Sequence, residues 1–349
     1  MAQNPIAIGS TARLPDAPAD NWVDRWAPPR LRPWLKLGRF DRPIGGWLLL
    51  LPGWQGVALA GAERGQAPDW RLMVLIFIGA FVMRAAGCAY NDIVDRDIDA
   101  RVARTARRPI PAGEITLKQA WAYVGVLCLV GLLILLSMNV LAVALGAASL
   151  ILVAAYPYMK RITWWPQAWL GLTFNWGALL GYAAATGGMT LAVWLWSRSM
   201  YTVGSTDPAF LSPGTISLVA ILLYLSGVFW TLGYDTIYAV QDMEDDALAR
   251  VKSSARRLGK RAPIAVLAFY GLSLGFLLAA AAAARLGPLF MPIAALLAIH
   301  FFWQAASLRL DDPKGALGLF KSNRDAGLLV LIGIIAGLWG QGGGLMGGL

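Results

Sequence analysis

The segment QAWAYVGVLCLVGLLILLSMNVLAVALGAASLILVAAYP, residues 119–157, contains no charged side chain and decides the fold class. It divides at the polar connection 137–139 into two apolar runs. Each run is close to the roughly 20 residues that a helix needs to cross about 30 Å of hydrocarbon. Because period-two alternation is absent and only helices or closed barrels can cross lipid, the segment predicts two transmembrane helices.

Apolar runs of the same kind recur along the whole chain. Of its 349 residues, 58% are hydrophobic and 14% are charged, and the mean hydropathy is +0.57. Soluble domains carry about 25% charged residues, so a soluble protein is excluded. The sequence predicts an all-α integral membrane protein, with nine transmembrane helices around a central cavity that opens toward the cytoplasmic side and the lipid. The predicted spans lie near residues 44–61, 71–90, 119–137, 140–157, 168–187, 215–238, 263–284, 288–307 and 327–346.

The basic residues predict the orientation of these spans. The chain has 30 Lys and Arg against 20 Asp and Glu, a net charge of +10. With nine spans, 25 of the 30 basic residues fall on the side of the N-terminus and four on the opposite side. The positive-inside rule then predicts a cytoplasmic N-terminus and a C-terminus on the opposite side. We expect the membrane to be the bacterial inner membrane, which places the C-terminus in the periplasm. The charge therefore needs no nucleic-acid partner to explain it.

The chain is predicted to have three parts. Residues 1–28 are rich in Ala and Pro and are expected to be a disordered tail. Residues 29–43 mix apolar and basic side chains and are expected to lie along the membrane surface as an amphipathic segment. Residues 44–349 are expected to form a single nine-helix domain. Since no apolar core begins before Ile44, we expect no cleavable signal peptide.

Nine of the twenty acidic residues lie in two short segments at predicted cytoplasmic helix ends. At about 100° per residue, one face of the second span carries the first group, and Asp97 lies opposite to it. That face consists of Asn91, Asp92, Asp95 and Asp99. Arg84 lies inside the same span, where it either reaches a polar cavity or extends toward the interface.

A second acidic face is predicted at the end of the sixth span, where Asp235, Asp242 and Asp246 align. Like charges at these spacings repel, and acids near the membrane cost a few kcal/mol each, so something cationic must offset them. Ion pairing with nearby arginines is one interpretation. A shared Mg²⁺ site is the sharper one, because Mg²⁺ takes a few carboxylate ligands and leaves its other positions to substrate phosphates and water.

A basic segment follows each acidic cluster, at residues 100–108 and 247–257. This loose repeat of helix, acidic face and basic loop predicts two related helical halves that meet at a central cavity. Carboxylates for a metal, next to Lys and Arg for phosphate oxygens, are what the binding of a diphosphate requires.

Residues 91–99, NDIVDRDID, resemble the NDxxDxxxD motif of the UbiA superfamily of membrane prenyltransferases. Residues 242–246, DMEDD, resemble its DxxxD motif. Four further blocks are similar to the branch that acts on 4-hydroxybenzoate: 39–47, 104–113, 156–161 and 234–242.

The resemblance implies the reaction. A polyprenyl group is transferred from polyprenyl diphosphate to the ring carbon ortho to the phenol of 4-hydroxybenzoate, with Mg²⁺ as cofactor, in ubiquinone biosynthesis. The resemblance also implies the ligands of the metal and diphosphate, which are Asn91, Asp95, Asp99, Asp242 and Asp246. Helix geometry adds Asp92 to this set.

The remaining site residues are also carried over from the resemblance. Asp95 and Asp242 are catalytic through the metal, and Asp235 is either a further ligand or the base that takes the phenol proton. Arg161 would pair with the carboxylate of 4-hydroxybenzoate. Candidates for binding the diphosphate are Arg39, Arg107, Arg108, Lys160 and Lys252.

Two alternatives stay open. A related enzyme could prenylate another aromatic or a tetrapyrrole. A transporter could use its acids to couple to cations or protons, although acids at one membrane face, rather than at mid-depth, argue against transport. The sequence does not assign a prenyl chain length or an oligomeric state.

Overall fold

The computed structural model describes residues 20–101, 105–188, 214–243 and 251–339. These residues form helices joined by turns, and no strand occurs among them, as predicted. The helices in chain order are α1 (Trp22–Trp26), α2 (Arg32–Leu37), α3 (Ile44–Ala62), α4 (Trp70–Asp99), α5 (Leu117–Leu136), α6 (Val140–Ile162), α7 (Pro166–Ala185), α8 (Leu218–Val240), α9 (Ser254–Leu258), α10 (Ala262–Ala283), α11 (Phe290–Ser307), α12 (Pro313–Lys321) and α13 (Asn323–Trp339).

Seven helical segments in the described part of the chain are long and apolar enough to cross a membrane. They are α3, α4, α5, α6, α8, the run Ser254–Ala283 and α11. The predicted spans near 168–187 and 327–346 overlap α7 and α13, which are not among the seven. Residues 340–346 of the last span lie outside the described part of the chain. Buried polar side chains such as Gln167 and Asn175 make α7 less apolar, and α13 has 17 described residues. The all-helical membrane fold is confirmed, whereas nine spans and a central cavity stay predictions.

The chain forms two compact units, Met1–Gly46 with Ala80–Leu132 and Trp47–Gly79 with Leu133–Leu349. The first unit has a small core of Leu37, Ala89, Ile93, Ile115 and Ala120. In the second unit, α8 packs against α7, α10 and α12. Many apolar side chains of α5 and α6 are exposed, which suits a lipid-facing surface.

The predicted boundary of the N-terminal tail, residue 28, differs from the structure. Residues 1–19 lie outside the described part, but α1 begins at Trp22, and its Val23 is fully buried. Lys36, in the segment expected to lie on the membrane surface, is buried and forms an ion pair with Asp24 at 2.8 Å. Burial would raise the pKa of Asp24, but hydrogen bonds from Lys36 and Asn21 hold the pKa below its ordinary value. A charge pair therefore anchors α1 to α2, which a sequence pattern alone cannot indicate.

Close packing of α3 against α7 depends on glycine. A Cβ atom added at Gly56 would overlap the carbonyl oxygen of Ala178 and lie 2.8 Å from the backbone nitrogen of Tyr182. Neither backbone atom can move without separating the helices. Small residues serve this purpose widely in membrane bundles.

We expect Gly56→Ala to lower the free energy of unfolding by about 2 kcal/mol, because overpacking against backbone costs roughly 1–3 kcal/mol. The measurement is the thermal unfolding midpoint in detergent. The matched control is Gly271→Ala in α10, where an added Cβ meets no atom within 4 Å. It should be neutral or stabilising by up to about 1 kcal/mol, through helix propensity. Equal midpoints for the two variants would contradict the close-packing argument.

Candidate functional site

The first acidic cluster lies at the end of α4. Asp92, Asp95 and Asp99 are 0%, 1% and 7% exposed, whereas the side chain of Asp97 is 81% exposed. The buried face and its exposed opposite are those that helix geometry predicts. Three carboxylates held away from water need cationic or hydrogen-bonding partners, because an uncompensated buried charge is strongly destabilising.

Two arginines of the predicted diphosphate set are these partners. The Nη2 atom of Arg39 lies 2.7 and 2.9 Å from the two carboxylate oxygens of Asp92. The Nη1 atom of Arg108 lies 3.1 Å from Asp92 and 2.8 Å from Asp99. Asp92 is therefore enclosed by two guanidinium groups, and Arg108 bridges two acids that are two helical turns apart.

Backbone geometry brings Arg39 to this position. The backbone N–H of Phe40 donates to the carbonyl of Leu35 at 2.9 Å, which closes the end of α2. Arg39 then adopts a left-handed conformation with φ of 60°. An L-residue pays about 1–2 kcal/mol for this conformation. The turn directs the Arg39 guanidinium toward Asp92, and Arg39 also donates to the carbonyl of Lys36 at 3.0 Å.

Arg107 and Arg108 follow α4 and were both predicted to bind the diphosphate, but the structure places their side chains in different environments. The hydroxyl of Thr105 donates to the carbonyl of Asp99 at 2.8 Å and holds the chain against the end of the helix. Arg108 turns inward from this point, while Arg107 is exposed. The structure therefore places Arg108 with the acidic cluster and Arg107 outside it.

Asn91 and Asp95 form the other half of the buried face. The amide of Asn91 donates to Asp95 at 3.3 Å. Amide and carboxylate oxygens spaced by helical turns are the hard donors that Mg²⁺ prefers. Within the described ranges, His, Cys, Asp and Glu side chains alone form no group of three or more that could hold a metal ion. This result agrees with the contacts in the first unit, where Asp92 and Asp99 form ion pairs with arginines.

A small basic pocket adjoins the cluster. Three arginines line it, Arg39, Arg42 and Arg84, together with residues such as Gly46 and Phe81. Arg84 thus contributes to a polar pocket, which was one of its two predicted placements. Arg42 and Arg84 were not among the predicted site residues, although a charge within an apolar span is itself a signal of function.

The second acidic cluster lies in the other compact unit. Asp235 is half-buried on α8, but the helix ends at Val240, so Asp242 lies in the following turn. The structure therefore differs from the predicted acidic stripe at residues 241 and 242, where the chain forms a turn instead of continuing α8. Asp246 lies outside the described residues.

The basic residues of this unit have structural contacts. The ammonium of Lys252 donates to the carbonyl of Ile162 at 3.0 Å. The backbone N–H of Lys252 donates to the carbonyl of Lys160, also at 3.0 Å. A cation at the C-terminal end of a helix is favourable. Arg161 is exposed, with its guanidinium 5.8 Å from the centre of the Tyr158 ring. Lys160, Arg161 and Lys252 thus lie together at the end of α6.

Comparison with known proteins gives consistent matches over most of the chain. The model of the UbiA prenyltransferase family matches residues 49–324. The human protein named 4-hydroxybenzoate polyprenyltransferase, mitochondrial, is 43% identical over 315 residues, which cover 90% of this chain and 77% of that protein. A UbiA homologue from Aeropyrum pernix K1 has a similar structure, with a TM-score of 0.63, 26% identity and coverage of 83% of this chain and 96% of that one.

A second solved structure has the same fold at lower identity. The UbiA homologue from Archaeoglobus fulgidus, bound to GPP and Mg²⁺, has a TM-score of 0.60 and 16% identity. The match covers 88% of this chain and 99% of that one.

Proposed function

The chain belongs to the UbiA prenyltransferase family, and we propose that it transfers a polyprenyl group from polyprenyl diphosphate to 4-hydroxybenzoate. The new bond forms at the ring carbon ortho to the phenol, and diphosphate leaves, in a membrane step of ubiquinone biosynthesis. The observation that carries this proposal is 43% identity over 90% of the chain to a protein named for the reaction. The buried acids of α4 and their arginines support it chemically.

The proposed cofactor is Mg²⁺. The residues that would hold it are Asn91, Asp95 and Asp99 in the first cluster, and Asp242 and Asp246 in the second. When bound, Mg²⁺ supplies positive charge to the departing diphosphate. Support comes from the hard oxygen donors on the buried face of α4, and from the Archaeoglobus fulgidus homologue, which is bound to GPP and Mg²⁺. Both oxygens of Asp92 contact Arg39, so we assign Asp92 to orienting the arginines rather than to the metal.

The protein's own cations complete the proposed diphosphate site. Arg39 and Arg108 can donate to phosphate oxygens, since guanidinium groups match phosphate geometry. Asp99 is a proposed metal ligand and also pairs with Arg108. When the Asp99 carboxylate binds the metal, the Arg108 guanidinium can turn to the substrate. Asp235 is the proposed acceptor of the phenol proton, or a further ligand.

The proposed setting is a bundle of nine spans around a central cavity. The human relative is named mitochondrial. The proposed membrane is the bacterial inner membrane, and the distribution of basic residues supports an N-terminus in the cytoplasm and a C-terminus in the periplasm. The deciding assay uses purified protein, polyprenyl diphosphate, Mg²⁺ and a panel of aromatic acceptors. Absence of product with every acceptor would contradict the proposal, and substrate uptake by proteoliposomes without prenylation would support a transporter.

The proposed role of Arg161 has its own test. Arg161→Ala should raise the KM for 4-hydroxybenzoate by about tenfold, because a charge-assisted hydrogen bond to a carboxylate contributes roughly 1.5–3 kcal/mol. The KM for polyprenyl diphosphate should not change. With a phenolic acceptor that lacks the carboxylate, wild type and variant should have the same kinetics. Arg309→Ala, at an exposed arginine paired with Asp311, is the control. Equal effects on both acceptors would remove Arg161 from the acceptor site.

A further inference from the structure

A buried polar network in the second unit is left unexplained by the proposed chemistry. Trp230, Tyr270, Gln304 and Asn323 are 4%, 1%, 0% and 0% exposed, and they lie on four different helices. Polar groups inside an apolar bundle cost free energy unless they are fully paired. Their presence where apolar side chains would suffice points to a function.

Hydrogen bonds fix the orientation of both amides. The indole N–H of Trp230 donates to Oδ1 of Asn323 at 2.8 Å. The amide nitrogen of Asn323 donates to the carbonyl of Leu319 at 3.1 Å, and that of Gln304 donates to the hydroxyl of Ser322 at 2.8 Å. The hydroxyl of Tyr270 donates to the amide oxygen of Gln304. Since each amide has defined donors and acceptors, Asn323 presents its oxygen to α8 in one orientation.

The partner of Asn323 belongs to an aromatic stripe on α8. Trp230, Tyr234 and Tyr238 recur every four residues and therefore share one face of the helix. Phe320 of α12 contacts this face, with ring centres 5.8 Å from Tyr234 and 4.6 Å from Tyr238. Trp230 also packs edge-on against Tyr234 at 5.2 Å. The stripe thus faces the end of α12 and the start of α13.

The rotation of α8 about its axis determines where its acids point. Asp235 follows Tyr234 and therefore lies about 100° around the helix from the stripe. Apolar contacts tolerate small rotations of a helix, whereas hydrogen bonds to neighbouring helices resist them. Thr231, Thr236 and Ser226 of α8 have such bonds to Asn175, Ser254 and Ser273. The Trp230–Asn323 bond restrains the aromatic face of α8. The same rotation sets the start of the turn that carries Asp242, because α8 ends at Val240.

We propose that the Trp230–Asn323 hydrogen bond is a rotational lock on α8 that aims Asp242, and Asp235 in its role as a further ligand, at the diphosphate of the substrate. Trp230 and Asn323 are positioning residues that act through these acids. The inference rests on the proposed function, because it assumes that the acids serve the diphosphate and its metal. It predicts that the loss of one hydrogen bond affects binding of the diphosphate and of Mg²⁺ more than it affects stability.

The test compares two identical chemical changes. Trp230→Phe removes the indole N–H and keeps an aromatic ring. Trp176→Phe does the same in α7, where the indole donates to the carbonyl of Leu145 at 2.8 Å. Trp230→Phe should raise the KM for polyprenyl diphosphate and the half-saturating Mg²⁺ concentration by about tenfold, because small misplacements of catalytic groups are costly. The KM for 4-hydroxybenzoate should not change. For Trp176→Phe all three constants should stay within about twofold of wild type.

A second variant, Asn323→Ala, removes the same hydrogen bond from the side of its acceptor. Asn323→Ala should have the same KM effects, and the double variant should add little, because both changes remove one interaction. If Trp230→Phe has the same kinetic constants as Trp176→Phe, the proposal that this hydrogen bond positions α8 is wrong. Activity that falls only in proportion to folded protein, in both Trp230→Phe and Asn323→Ala, would also overturn it. Asp242→Ala is assayed in parallel. Full turnover of Asp242→Ala would contradict the proposed role of the acids. If Asp242→Ala is inactive but Trp230→Phe has the kinetics of wild type, only the proposed lock is contradicted.

Discussion

Asp95→Ala should reduce prenyl transfer by on the order of 1000-fold, the effect expected when a principal charge-stabilising group is removed from an active site. Asp95 is 1% exposed and is held by the amide of Asn91, so alanine removes an oriented carboxylate from the proposed Mg²⁺ site. Turnover measured over a range of Mg²⁺ concentrations checks this prediction. Higher Mg²⁺ should restore little activity, because a ligand has been lost. Asp242→Ala tests the second cluster in the same way.

Asp97→Ala is the matched control. Asp97 lies two residues along the same helix, but its side chain is 81% exposed and pairs with the exposed Arg96. Activity within about twofold of wild type is expected for this variant. If Asp95→Ala and Asp97→Ala have similar turnover, the buried face of α4 does not carry the chemistry.

Arg108→Met should lower the free energy of unfolding by about 3–5 kcal/mol, the usual cost of removing one partner from a buried ion pair. Asp92 would keep Arg39, but Asp99 would lose the ion pair with Arg108. The thermal unfolding midpoint in detergent measures the effect. Arg107→Met is the control: Arg107 is the exposed neighbour, and its replacement should change the midpoint little.

A second change separates stability from activity. Asp99→Asn in the Arg108→Met background should recover part of the lost stability, because it removes the uncompensated carboxylate. It should not recover turnover, since a proposed metal ligand and a proposed phosphate donor are then both absent. If Arg108→Met is as stable as Arg107→Met, the ion-pair network does not hold this end of α4.

Helix periodicity was sufficient to predict which acids of α4 face inward. Asp97 lies on the exposed side because the chain remains helical to Asp99, so angles counted along the sequence transfer directly to the structure. The same arithmetic is less useful after α8, because the helix ends at Val240, before Asp242 is reached. Angular reasoning is valid only as far as the helix continues.

Partners distant in sequence could not be predicted. Arg39 and Asp92 are 53 residues apart, and nothing in either local pattern indicates that they meet. Arg107 and Arg108 have the same side chain and adjacent positions, so only the tertiary contact of Thr105 with the end of α4 distinguishes them. The network around Asn323 was missed for the same reason, because its members are scattered single polar residues in apolar runs. Charge inside a span was the one local signal, and it singled out Arg84, whose placement the sequence left open between a polar cavity and the interface.

The left-handed conformation of Arg39 has a consequence for engineering. A common stabilising strategy replaces non-glycine residues at positive φ with glycine, which relieves backbone strain. Among the described residues two qualify, Arg39 with φ of 60° and Arg285 with φ of 54°. Arg285 is an exposed residue in the turn that ends α10, where glycine is the residue ordinarily favoured. Thermostabilisation should therefore begin at Arg285, whereas glycine at position 39 would relieve strain but lose the guanidinium that holds Asp92.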